Sequence, residues 1–129
     1  MVSAVILVVD DNLNNLYVTR AALERFGHVI DVADNGIDAI EAATNKPYDL
    51  IIMDCRMPIL DGYEATEEIR RKEAEKGRRT PIIALTACAL EGDREKCLAA
   101  GMDDYFTKPI TLEGFQEILR RWLKSSQMG

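Results

Sequence analysis

The chain has 129 residues, 47% of them hydrophobic, enough for one continuous core, and its net charge of −6 argues against a generic nucleic-acid-binding surface. No apolar run approaches the roughly 20 residues that span a bilayer, and Met1-Val2-Ser3-Ala4 opens neither a basic region nor a long apolar segment, so the expectation is a cytoplasmic domain without membrane insertion. Cys55, Cys88 and Cys97 are an odd set without CxxC spacing, which argues against a disulfide framework or a zinc site.

In chain order, short apolar runs alternate five times with segments of helical period. The first strand is expected at Val5 to Asp10, followed by a helix with Leu16, Leu23 and Phe26 on its inner stripe and Gly27 as its stop. His28 follows as a turn or strand-edge imidazole, with no convergent partners to make it catalytic. A second strand at Val29 to Ala33 leads to a helix whose stripe is Ile37, Ile40 and Ala43. The third strand, Leu50 to Asp54, precedes Asp61-Gly62-Tyr63-Glu64, which has the spacing of a capping box. Arg70 to Thr80 is highly charged and reads as a helix end fraying into solvent. Strands at Ile82 to Thr86 and Asp104 to Thr107 follow, then a last helix with Leu112, Phe115, Leu119 and Trp122 inward. The first, third and fourth strands are nearly all apolar, as strands covered on both faces should be. Met53, Met57 and Met102 are expected to pack in the core. A single domain over residues 1–129 results, with its core over about residues 4–124.

In such a parallel sheet the carboxyl ends of the strands share one edge, where ligands bind. Asp10-Asp11, Asp54, Thr86 and Lys108-Pro109 all fall at strand ends, so carboxylates, a hydroxyl and an ammonium converge there. Mg²⁺ takes oxygen ligands and keeps several waters; Asp10 or Asp11, Asp54 and the Arg56 carbonyl could supply the protein's share. Crowded carboxylates repel, which raises their proton affinity and favours a bound cation, so metal binding should depend on pH. A carboxylate can attack phosphorus to give an acyl phosphate if the incoming oxygens are neutralised, and no general base is needed. Each group also has an ordinary alternative: Asp10-Asp11 could merely cap the first helix, and Thr86 could be a plain strand end.

Taken together, Asp10-Asp11, Asp54 with Met57-Pro58 and Asp61-Gly62, Thr86-Ala87 and Lys108-Pro109 resemble the receiver domains of two-component response regulators, over Val5 to Leu123. Asp11-Asn12 with Asn15, Met53 through Pro58, and Gly92 through Tyr105 look most like receivers attached to hybrid sensor histidine kinases. The resemblance implies a flavodoxin-like (βα)5 three-layer fold with a parallel five-stranded sheet in the order 2-1-3-4-5. It also implies that Asp54 is the phosphoacceptor for a phosphohistidine on a histidine kinase or histidine phosphotransfer domain. Asp11 would ligate Mg²⁺ directly, with Mn²⁺ as a substitute, Asp10 would act through a metal-bound water, and the Arg56 carbonyl would complete the set. Thr86 and Lys108 would hold phosphoryl oxygens, Tyr105 would be the rotating aromatic that switches with Thr86, and Pro109 would be the cis-peptide proline.

Arg56 and Cys88, two residues beyond Asp54 and Thr86, occupy positions that tune the lifetime of the acyl phosphate in this family. Cys55 and Cys88 raise a redox alternative, against the simpler expectation of inert thiols. Phosphorylation would switch the surface around the fourth helix, fifth strand and fifth helix, with a phosphorylation-dependent homodimer as one outcome. The helix start at Asn12, Asn14, Asn15 and Tyr17 is the expected docking face for a donor. With no output domain after the fifth helix, the chain is expected to be a free-standing receiver or a piece of a hybrid kinase, and no separate enzyme. The alternatives are a pseudo-receiver that only binds proteins, and a small phosphatase or flavin carrier. Arg56 stands where such a phosphatase wants a second Asp, and Asp10-Asp11 would repel a flavin phosphate.

Overall fold

The computed structural model describes residues 3–86, 92–108 and 110–128. Five strands, β1 (Val5–Val9), β2 (Val29–Ala33), β3 (Leu50–Asp54), β4 (Ile82–Thr86) and β5 (Asp104–Thr107), alternate with helices α1 (Leu13–Arg25), α2 (Gly36–Asn45), α3 (Gly62–Lys76), α4 (Asp93–Ala100) and α5 (Leu112–Met128). All neighbouring strands pair in parallel, in the order β2-β1-β3-β4-β5. This is the flavodoxin-like arrangement expected from the sequence. The strand bounds match as well, except that β1 stops at Val9 and Asp10 lies just beyond it.

Two apolar cores sandwich the sheet. Leu7, Val9, Ile51, Met53, Ile82 and Ala84 face α2, α3 and α4, while Ile6, Val8, Leu50, Ile52, Ile83 and Leu85 face α1 and α5. Alternate residues of one strand therefore go to opposite cores, which is why β1, β3 and β4 tolerate almost no polar residue before their last position. The edge strands β2 and β5 carry the polar and partly exposed positions. Met53, Met57 and Met102 are buried in the first core, as expected.

Local signals act where the sequence places them. Asn12 caps α1 by accepting from the Asn15 N–H, so the cap is not made by Asp10 or Asp11. Gly27 has φ +88° after α1, and Asp61 and Glu64 form a reciprocal capping box at α3. His28 is a strand-edge group: its Nδ1 accepts from the Ala4 N–H at 3.0 Å, and burial pulls its proton affinity down.

Three expectations are corrected. In α2, Ile40 and Ala43 pack inward as expected, but Gly36 and Ala39 complete the inner face and Ile37 is 57% exposed, because this helix lies so close that a Cβ on Gly36 would stand 2.6 Å from the Leu60 carbonyl oxygen. In α5, Leu112 is exposed, and Phe115, Ile118, Leu119 and Leu123 form the buried face. The run from Arg70 to Thr80 does not fray: Gly77 closes α3 at φ +68°, and the Arg70 side chain is only 13% exposed. Its guanidinium donates to the Gly101 and Thr80 carbonyls and pairs with Glu73 and Asp103, while Glu73 accepts from the Thr80 N–H. Charge in this stretch ties α3 to the connection leading into β4 and to the one between α4 and β5.

Candidate active site

Strand pairing delivers the polar groups to one edge. The Asp10 N–H bonds the Ala33 carbonyl, the Cys55 N–H bonds the Leu85 carbonyl, and the Lys108 N–H bonds the Thr86 carbonyl, each continuing a ladder one step beyond its strand. Asp10, Asp54 and Thr86 are buried at the ends of the three central strands, and Asp11 stands exposed beside them. One oxygen from each of Asp10, Asp11 and Asp54 lies within 4.8 Å of the others. Lys108 Nζ reaches into the group, 3.0 Å from Asp10 Oδ2 and 3.2 Å from Asp54 Oδ1.

Electrostatics follow from this crowding. Burial raises the proton affinity of Asp54, Lys108 opposes that, and Asp10 adds to it, leaving its pKa at about 6. Burial alone would lower the proton affinity of Lys108, but its contacts with Asp10 and Asp54 outweigh this and keep it firmly charged. The oxygen-only donor set, hard and acidic, suits a small divalent cation and offers nothing to a soft one.

The loop from β3 to α3 is held tightly against the site. The Arg56 N–H points to Asp54 Oδ1 at 3.4 Å, and the Gly62 N–H bonds the Cys55 carbonyl at 3.0 Å. A Cβ on Gly62 would stand 2.2 Å from the Asp54 carbonyl oxygen, so only glycine permits this approach. The Arg56 side chain is exposed and lines a cleft of about 520 Å³ with Thr86 and Lys96. Lys96 lies 4.6 Å from the centre of the Tyr63 ring, a contact with no local signature because it joins α4 to α3. On the other face of the sheet, Asp10, Asn15, Val18, Ile110 and Phe115 line a more apolar groove of about 270 Å³.

The sequence-predicted groups Asp10, Asp11, Asp54 and Lys108 come together, with Thr86 one strand away and Arg56 at the rim. Tyr105 is partly buried against the core on the α4 side. Cys88 and Pro109 lie outside the described residues, so neither the lifetime role of the one nor the cis peptide of the other meets a structural finding. The thiol neighbouring Cys55 is Cys97, and burial pushes the Cys55 thiol up to about 12, the state of an inert cysteine. Among the described residues no helix is long and apolar enough to cross a membrane.

Comparison with known proteins bears on the same residues. The family model for the response regulator receiver domain matches residues 6–120. The receiver domain of sensor histidine kinase PA1611 from Pseudomonas aeruginosa, solved with a magnesium ion coordinated in its active-site cleft, is 50% identical with a TM-score of 0.86, covering 95% of this chain and 99% of that one. The receiver of Saccharomyces cerevisiae Ssk1, solved with the histidine phosphotransfer protein Ypd1, is 31% identical with a TM-score of 0.87, covering 93% and 88%. The sensor histidine kinase GacS of Pseudomonas protegens is 42% identical over 91% of this chain, which spans only 13% of that protein. With the matched segment running from within β1 to within α5, and the acidic cluster at its sheet edge, the chain belongs to the response regulator receiver domains.

Proposed function

We propose that the chain accepts a phosphoryl group on Asp54 from a phosphohistidine, with Mg²⁺ bound at the acidic cluster. The observation that carries this reading is the convergence of three carboxylates within 4.8 Å with Lys108 3.2 Å from Asp54. Asp11 and Asp54 would hold the cation, with Asp10 acting through a metal-bound water and the Arg56 carbonyl completing the set; the magnesium ion in the active-site cleft of the P. aeruginosa relative supports a cation at this cluster. When bound, the cation supplies positive charge against the phosphoryl oxygens and against carboxylate repulsion.

An Asp54 carboxylate oxygen forms the new O–P bond as the donor's N–P bond breaks, and the donor imidazole leaves with the electron pair of that bond. Lys108, which bridges Asp10 and Asp54 in the resting chain, needs only a small side-chain shift to pair with a phosphoryl oxygen. The Thr86 hydroxyl donates to another. Tyr105, in the strand paired with β4, then follows Thr86 and alters the surface of α4, β5 and α5. Arg56, exposed at the cleft, sets how readily water reaches the acyl phosphate.

A histidine kinase or histidine phosphotransfer domain is the donor class, which the Ypd1–Ssk1 complex supports. The start of α1, with Asn15 and Val18 beside the apolar groove, gives a helical donor a seat next to Asp10. If the chain is part of a hybrid protein, as its sensor-kinase relatives suggest, the kinase activity belongs to the parent.

Intact mass after incubation with acetyl phosphate and Mg²⁺ tests the reading. One phosphoryl adduct that requires Mg²⁺ and vanishes in Asp54→Asn is expected. No adduct on the folded parent chain at any Mg²⁺ concentration would refute it and leave a protein-binding module.

A further inference from the structure

Ile59 stands apart from every other described residue. Among the described residues it is the non-glycine residue with positive φ, at +70°, and at 94% exposure it is the most exposed of the large apolar residues. The Leu60 N–H bonds the Pro58 carbonyl at 2.7 Å, so Ile59 is the centre of a γ-turn in its rare, strained form. A β-branched side chain is the least suited to that backbone, and glycine or asparagine would occupy it with little strain.

The loop does not drift into this shape. Leu60 packs on the core, its carbonyl lies against Gly36, and Gly62 ties the loop back to Cys55. The strained residue is thus presented on a rigid base. Its neighbours Met57, Pro58 and Asp61 line the cleft beside the phosphoacceptor strand end. A lone exposed aliphatic side chain is ordinary, but one held on a strained backbone where a cheaper residue would serve points to a use outside the isolated chain.

We propose that Ile59 is an anchor for the macromolecular donor: its side chain enters an apolar pocket on a helical histidine phosphotransfer protein as that protein's phosphohistidine meets Asp54. This deepens the phosphoacceptor reading and rests on it. Any protein that brings a histidine to Asp54 must come down over the end of β3, and Ile59 is five residues beyond Asp54 on the α2–α4 face of the sheet. The groove beside α1 lies on the opposite face. The two apolar contacts would straddle the acidic site and fix the donor's approach across it, whereas a small acyl phosphate would touch neither.

The test compares the parent chain with Ile59→Gly and Ile59→Asn, both of which suit the left-handed backbone. Each is phosphorylated in parallel by phospho-Ypd1 from S. cerevisiae and by acetyl phosphate, and each is unfolded in urea. The expected result is a fall of about tenfold in kcat/KM for transfer from phospho-Ypd1 in both variants, equivalent to about 1.4 kcal/mol and in keeping with burial of part of an aliphatic side chain. Labelling by acetyl phosphate should be unchanged, and the urea midpoint should be no lower than the parent's. Unchanged transfer from Ypd1 overturns the proposal, as does a fall shared equally by acetyl phosphate, which would mean a disturbed Asp54. Failure of Ypd1 to label a parent chain that acetyl phosphate labels also overturns the anchor while sparing the acceptor chemistry. Failure of both donors overturns the acceptor reading and the anchor with it.

Discussion

Mg²⁺ affinity should fall steeply on the acid side of neutrality, because a proton and the cation compete for the same buried carboxylate. Burial and the neighbouring Asp10 carry the Asp54 pKa to about 6, even with Lys108 3.2 Å away. At pH 7 about ten in eleven Asp54 carboxylates are ionised, and at pH 5 about one in eleven, so the apparent Kd should rise about tenfold between those values. Above pH 7 it should level off. The sign for the metal-free fold is opposite to the usual carboxylate case. Between about pH 4 and pH 6 the native chain holds a proton on Asp54 that the unfolded chain has released, so this group's contribution to stability is present below pH 4 and is lost as the pH climbs through 6. Calorimetric titration with Mg²⁺ at pH 5, 6, 7 and 8 at constant ionic strength reads the first effect, with Asp54→Asn as the control that should lose the steep portion. A Kd that stays flat from pH 5 to pH 8, or the same slope in Asp54→Asn, would refute the assignment of that proton to Asp54.

Three further outcomes follow from contacts at and around the site. Arg70→Met removes a guanidinium whose four acceptors are largely buried; Asp103 keeps Arg79 and the Ile82 N–H, so the loss should be about 3 kcal/mol, at the low end for a broken buried pair, and urea unfolding checks it. A loss below about 1 kcal/mol would mean that this run is solvated after all. Gly62→Ala drives a methyl onto the Asp54 backbone and should cost about 3 kcal/mol in thermal unfolding while slowing adduct formation on Asp54. Lys108→Met should slow labelling by acetyl phosphate about a hundredfold, as loss of a single charge-stabilising group does, read from the time course of the mass adduct; an unchanged rate would remove Lys108 from the chemistry.

The sequence by itself determined the alternation of strands and helices, the burial of β1, β3 and β4 on both faces, the α3 cap, and the arrival of Asp10, Asp11, Asp54, Thr86 and Lys108 at one sheet edge. These are legible because apolar periodicity and turn residues act locally, and because a parallel sheet with crossover helices places every strand's carboxyl end on the same side. Tertiary structure decided the rest. Which face of α2 is buried depends on how near its neighbours come, and close approach selected Gly36 and Ala39 over the more hydrophobic Ile37. Arg70 and Arg71 are indistinguishable as neighbours in a charged run, yet Arg70 meets Gly101 and Asp103, 31 and 33 residues away, while Arg71 faces solvent. The proton affinity of Asp54 is set by exclusion of water and by Asp10 and Lys108, distant in sequence and adjacent only after folding. The strained turn at Ile59 sits between Met57, buried in the core before it, and Leu60 against α2 and Gly62 against β3 after it, a constraint that no local propensity records.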